Sequence, residues 1–63
     1  MEAKVGDLVH FWLNGRQIWG KVIDRRQPRR GGEWILYVRL QEAGAGTTTI
    51  EESIVKEVQS AQK

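Results

Sequence analysis

The stretch Leu8-Val9-His10-Phe11-Trp12-Leu13-Asn14-Gly15-Arg16-Gln17-Ile18-Trp19-Gly20-Lys21-Val22-Ile23 decides the fold of this chain. Its first six residues are rich in β-branched and aromatic side chains, the composition of a strand. Asn14-Gly15 follows, the strongest short hairpin signal, because both residues tolerate positive φ. The hairpin returns a second strand from Gln17 to about Arg26. Gly20 inside it predicts a bulge or a close backbone approach. Period-two alternation puts Ile18 and Val22 on one face, Trp19 and Lys21 on the other. If Ile18 and Val22 face the core, Trp19 is outside and open to a ligand.

Outward from this hairpin the punctuation is clear. Gly6-Asp7 is turn chemistry before the first strand. Gln27-Pro28-Arg29-Arg30-Gly31-Gly32 reads as a loop, since proline lacks a donor and paired glycines permit a sharp reversal. Glu33 to Gln41 reads as a third strand. Its near-continuous apolar content predicts burial on both faces or a central place in a closed sheet. Ala43-Gly44-Ala45-Gly46 is the next turn, and Thr47-Thr48-Thr49-Ile50 has the composition of a fourth strand. The tail reads two ways. A capping box at Thr49 to Glu52, with Ile50, Ile54 and Val58 at helical spacing, gives a helix from about Ile50 to Gln59. The other reading is a 3₁₀ turn at Glu52-Ser53-Ile54 followed by a short strand, Val55 to Val58. Edge closure favours the second, because an open four-stranded sheet leaves unpaired edges. Residues 60–63 read as a frayed end.

The chain has 63 residues, so residues 1–63 are expected to form one domain. A domain of this size buries only about 60% of the surface its unfolded chain exposes. There is no cysteine, so disulfides cannot staple it. His10 is the lone histidine, so neither a metal site nor a cofactor is expected. The core must come from Val5, Leu8, Val9, Phe11, Ile18, Val22, Ile23, Ile35, Leu36, Val38, Ile50, Ile54, Val55 and Val58. Trp12, Trp19 and Trp34 add large area per residue. No run reaches the ~18 apolar residues of a membrane span. The expectation is a soluble protein, cytoplasmic or associated with nucleoid or chromatin, that does not engage a membrane.

Net charge is +2, and its distribution matters more than its size. Arg16, Lys21, Arg25, Arg26, Arg29, Arg30 and Arg39 face only Asp24 and Glu33 in residues 16–39, a net of +5. Residues 1–15 carry −1 and residues 40–63 carry −2. Such asymmetry points to an anionic partner. Arg25-Arg26-Gln27-Pro28-Arg29-Arg30 sets four arginines on one loop, and arginine gives bidentate contacts to phosphate. Trp34 could stack or wedge beside them, as small β proteins bind duplexes through basic sheets and apolar wedges. The plainer alternative is a solvated loop whose arginines aid solubility. For the tryptophans the plainer alternative is core packing. His10 has no visible catalytic neighbour, and a general base needs one. Gly44 and Gly46 lack the Lys and Ser/Thr of a phosphate loop. No catalytic residue is expected, and the chain does not read as an enzyme.

Lys4-Val5-Gly6-Asp7, the hairpin, Ile18-Trp19-Gly20-Lys21-Val22-Ile23, Trp34 to Leu40 and Ile50 to Val58 together resemble the Src-homology-3-like barrel. Within that superfold the pattern is similar to the Tudor and chromo-barrel families. The resemblance implies an all-β, five-stranded SH3-like barrel with a 3₁₀ turn or short helix near the C-terminus. In the Tudor family strand-end aromatics cage methylated Lys or Arg by cation–π attraction. Trp19 falls where that family often has a cage aromatic, Trp12 lies near a second, and Tyr37 could contribute. Leu40 to Ala43 carries no aromatic where the family usually has one. The plasmid-encoded dihydrofolate reductase is another tiny barrel that opens with Gly-Asp. Its Val-Gln-Ile-Tyr pore segment corresponds to Thr48-Thr49-Ile50-Glu51, where the glutamine and tyrosine are absent.

The leading expectation is a small nucleic-acid-binding barrel, for duplex DNA with low sequence preference. Arg25, Arg26, Arg29 and Arg30 contact phosphates, helped by Arg16, Lys21 and Arg39, while Trp34 or Trp19 stacks. The alternative is a Tudor-like peptide module or an accessory subunit of a larger complex, using Trp12, Trp19 and Tyr37. Either fits a monomer or a small homo-oligomer. The leading reading requires the loop arginines to stand in water, unpaired with the protein's own carboxylates.

Overall fold

Leu8–Leu13 and Arg16–Arg26 form strands β1 and β2, joined at Asn14 (φ 52°) and Gly15 (φ 77°). Positive φ at both positions is what a tight hairpin of the right twist demands. A computed structural model describes residues 2–42, 44 and 46–60 of the chain. Ile35–Leu40 is β3, Thr47–Glu51 is β4, a 3₁₀ turn spans Glu52–Ile54, and Glu57–Gln59 is β5. The strands form one antiparallel sheet in the order β4-β3-β2-β1-β5. The tail therefore takes the 3₁₀-plus-strand course, its strand two residues later than Val55. The expected turn at 43–46 and the expected frayed end include Ala43, Ala45 and residues 61–63, which lie outside the described residues.

The fifth strand pairs with β1 through Val9↔Val58, and β4 pairs with β3. No pairing joins β4 to β5, so the sheet is not closed, and the expectation that β5 removes the edges is corrected. The outer side of β4 keeps an open edge. Backbone bonds tie the ends down elsewhere. The Gly6 N–H donates to the Val22 carbonyl at 2.8 Å and the Val22 N–H to the Asp7 carbonyl at 2.9 Å. The Lys56 N–H donates to the His10 carbonyl at 2.7 Å.

Alternation delivers one apolar face. Val9 and Phe11 of β1, Val22 of β2, Leu36 and Val38 of β3, Ile50 of β4, and Val55 are buried with Ala3. Leu13, Ile18, Leu40 and Val58 pack against them. Five expected core residues are not there: Leu8 and Ile35 alternate to the outer face, half-buried opposite Lys21 and Arg26, and three others are exposed. Val5 is 61% exposed, because the turn closed by the Asp7 N–H on the Lys4 carbonyl carries it outward and Ala3 takes the inner place. Ile54 is exposed on the 3₁₀ turn, and the next residue, Val55, enters the core instead. β3 is also not buried on both faces. It lies between β2 and β4, but Tyr37 and Arg39 alternate outward.

The third exposed residue has a larger consequence. The β2–β3 register runs Val22↔Val38 and then Asp24↔Tyr37, so Ile23 is an extra residue on β2. A β-bulge of this kind leaves one residue unpaired and shifts the face of everything beyond it. Ile23 stays on the outer side, exposed, where alternation from Val22 already puts it, and Arg25 turns inward, directly opposite the buried Leu36. Gly20, where a bulge or close approach is expected, shows the close approach. A Cβ there would lie 3.2 Å from the Val38 Cβ and 3.3 Å from the Arg39 carbonyl oxygen.

Candidate nucleic-acid interface

Arg25 reaches the core side of the sheet because of the bulge, and a guanidinium there needs compensation. Glu52, the first residue of the 3₁₀ turn, supplies it. The Arg25 Nε donates to Glu52 Oε2 at 3.2 Å and its Nη2 to Oε1 at 3.3 Å. The Ala3 N–H donates to the same Oε2 at 3.0 Å. Glu2 stands 4.0 Å from the Arg25 Nη2. The Arg25 guanidinium carbon lies 3.9 Å above the centroid of the Trp34 ring, a cation–π contact. Desolvation pushes the Glu52 carboxyl up. The hydrogen bonds from Arg25 and Ala3 and the Arg25 charge outweigh it and hold the group below the usual glutamate range. This cluster locks the N-terminus, β2, the start of β3 and the 3₁₀ turn together.

Two further cations are also occupied. Arg26 Nε donates to Asp24 Oδ2 at 2.8 Å, and this bond together with the Arg25 backbone N–H lowers the Asp24 carboxyl. Arg16 Nη2 donates to Glu42 Oε2 at 2.9 Å, joining the start of β2 to the segment just past β3. The expectation that the four loop arginines stand unpaired is thus corrected for Arg25 and Arg26. It holds for Arg29 and Arg30, which are exposed and make no ion pair among the described residues. Their turn is well defined: the Gly32 N–H closes on the Arg29 carbonyl at 2.8 Å, Gly31 sits at φ 73°, and the Gln27 side-chain amide donates to the Gly32 carbonyl.

The outer face of β1–β2–β3 carries the other cations. Lys21 and Arg39 are directly opposite each other on neighbouring strands, both exposed, and neither is ion-paired among the described residues. Like charges in that relation repel, so the pair is favourable only beside an anion. The next outward row is Trp19 on β2 and Gln41 just past β3, joined by a bond from the Gln41 N–H to the Trp19 carbonyl. His10, opposite Trp19 on β1, packs its ring on the indole with centroids 5.0 Å apart. Trp12 lies further along β1 on the same face, half exposed. Tyr37 lies on the other side of the Lys21–Arg39 row, opposite Asp24.

A shallow concavity of about 280 Å³ adjoins this face, lined by Arg16, Gln17, Ile18, Trp19, Gln41 and Glu42. Gln17, Gln41 and Glu42 were not singled out in the sequence. Extending the alternation of β3 from Tyr37 and Arg39 by two residues would have placed Gln41 beside Trp19. Glu52 was missed because the bulge reverses the faces of β2, and no residue type at Ile23 announces it. Among the described residues no group of three His, Asp or Glu side chains is placed to hold a metal ion. Among the described residues no helix is long and apolar enough to cross a membrane. The chain matches no family model, no curated protein and no solved structure.

Proposed function

We propose that this chain is a small SH3-like barrel that binds nucleic acid, duplex DNA above all, with little sequence preference, and that it acts by binding rather than by catalysis. The strand order, with a 3₁₀ turn between the fourth and fifth strands, is the order of that superfold, and it supports the architecture without naming an activity. The observation that carries the reading is the Lys21–Arg39 pair: two exposed, like-charged side chains side by side on the outer sheet, next to Trp19.

Of the seven central cations, Arg16, Arg25 and Arg26 already serve Glu42, Glu52 and Asp24. Lys21, Arg39, Arg29 and Arg30 remain for phosphates. Lys21 and Arg39 hold the centre, and the Arg29-Arg30 turn reaches the backbone further along the groove. Lys21 to the end of β2 at Arg26 spans roughly 16 Å at about 3.3 Å per residue, enough to reach beyond one phosphate. Trp34 is committed to Arg25, which leaves Trp19 and Trp12 for stacking. Four phosphate contacts give a salt slope of roughly −3.6 on duplex DNA.

The Tudor-like alternative has less support from the same geometry. A methyl-ammonium cage needs aromatics converging on one cation. Trp12 and Trp19 lie on one side of the Lys21–Arg39 row and Tyr37 on the other, so two positive charges stand where the guest cation would sit. The test is a fluorescence-anisotropy titration of a labelled duplex at low and moderate salt. Binding at micromolar protein that weakens steeply with salt is expected. Absence of salt-dependent binding would remove the proposal.

A further inference from the structure

The concavity beside Trp19 adjoins the basic row closely enough to serve the same ligand. Trp19 and Gln41 are two residues from Lys21 and Arg39 on their respective strands. Two residues along a strand is roughly 6.6 Å, with both pairs of side chains on the same face. A guest with its anionic group on Lys21 and Arg39 therefore reaches the cavity with its next chemical group. The cavity's walls are suited to a planar polar ring. Trp19 offers an aromatic surface, and His10 braces it from β1. Gln17 and Gln41 offer amides that both donate and accept, and Glu42 offers carboxylate acceptors. Arg16 neutralises Glu42 at 2.9 Å, so the rim does not repel a phosphate.

We infer that this cavity takes a single unpaired nucleobase, whose flanking phosphates lie on Lys21 and Arg39. The inference rests on the nucleic-acid reading above and narrows it: the preferred substrate is a strand with a base out of the stack. At about 280 Å³ the open concavity is just below the usual small-molecule range of roughly 300–1,000 Å³, a size suited to one base. Base stacking on an aromatic contributes about 1–3 kcal/mol per base, on the order of tenfold or more in affinity. Intact duplex DNA keeps its bases stacked, so it engages the phosphate row alone. A bulged base is already extruded at little cost, and the cavity adds its binding to that of the row.

The experiment compares three labelled duplexes of equal length by anisotropy: one intact, one with a single bulged thymine, and one with an abasic residue at the bulge. The bulged-thymine duplex is expected to bind about tenfold more tightly than the other two. Gln41→Ala is expected to bring that ratio toward one while the circular-dichroism melt stays in place. Equal affinity for all three duplexes would overturn the inference and leave the basic row as the whole interface. No binding to any of them would overturn the nucleic-acid reading with it. A preference for both bulges alike would show that DNA bending, and not the base, is recognised, and would equally overturn the base-pocket assignment.

Discussion

At the scale of single residues, charge is divided between holding the fold and facing outward, and the division can be measured. Arg25 and Glu52 are the inner pair, with side chains only 20% and 12% exposed. Glu52→Gln keeps the shape but removes the charge, and is expected to lower stability by about 1–3 kcal/mol in a urea titration. The pH dependence has a definite sign. The Glu52 carboxyl is held below its unfolded-state value of about 4.3, so its contribution is fully present above that pH. It is lost as pH falls through the lower folded-state value, and the Gln variant should lack that component of the acid transition. The outward cations should behave oppositely. Arg29→Ala with Arg30→Ala is expected to leave the unfolding free energy within about 0.5 kcal/mol of the parent, as for other surface changes. It should weaken duplex binding and reduce the salt slope by about 1.8. An unchanged slope would show that the turn does not touch the backbone.

At the scale of elements, the β2–β3 contact is the most closely specified. Gly20→Ala would press a methyl against Val38 Cβ and the Arg39 carbonyl, both within 3.3 Å, at the centre of the pairing that aligns Lys21 with Arg39. A loss of about 1–3 kcal/mol is expected, read as a melting-temperature drop of about 4–8 °C per kcal/mol. Duplex affinity should fall as well, because the row is displaced. Gly20 is also where the sequence was most informative and where its information ended. Asn14-Gly15, the Gly20 approach and the outward placement of Trp19 all followed from turn chemistry and period two. The same period, carried unbroken to Arg26, puts Ile23 and Arg25 both outward, so Ile23 entered the expected core on composition alone. One extra residue leaves Ile23 outside and turns Arg25 inward, and bulges of this type carry no fixed residue signature. The inward turn of Arg25 then drew in Trp34 and Glu52, which had read as a wedge and as the end of a capping box or the start of a 3₁₀ turn.

At the scale of the whole molecule, a 63-residue chain without cysteine rests on one small core. Phe11 is its largest fully buried side chain, and Phe→Ala in such a place costs about 3–5 kcal/mol. A core of this size rarely supplies more than about 3–5 kcal/mol of net stability, so Phe11→Ala is expected to leave the chain unfolded at 25 °C by near-ultraviolet circular dichroism. The inner face of the sheet is thus fully employed in holding it together. The outer face keeps two cations, unneutralised among the described residues, beside each other on β2 and β3, an arrangement that folding alone does not favour. The most direct measurement is the slope of log affinity against log salt for a DNA duplex, with the parent chain and the Lys21→Gln/Arg39→Gln double variant side by side. A shallower slope by about 1.8 in the variant, with equal or greater thermal stability, is the expected result. Identical slopes in the two proteins would contradict the placement of phosphates on this row.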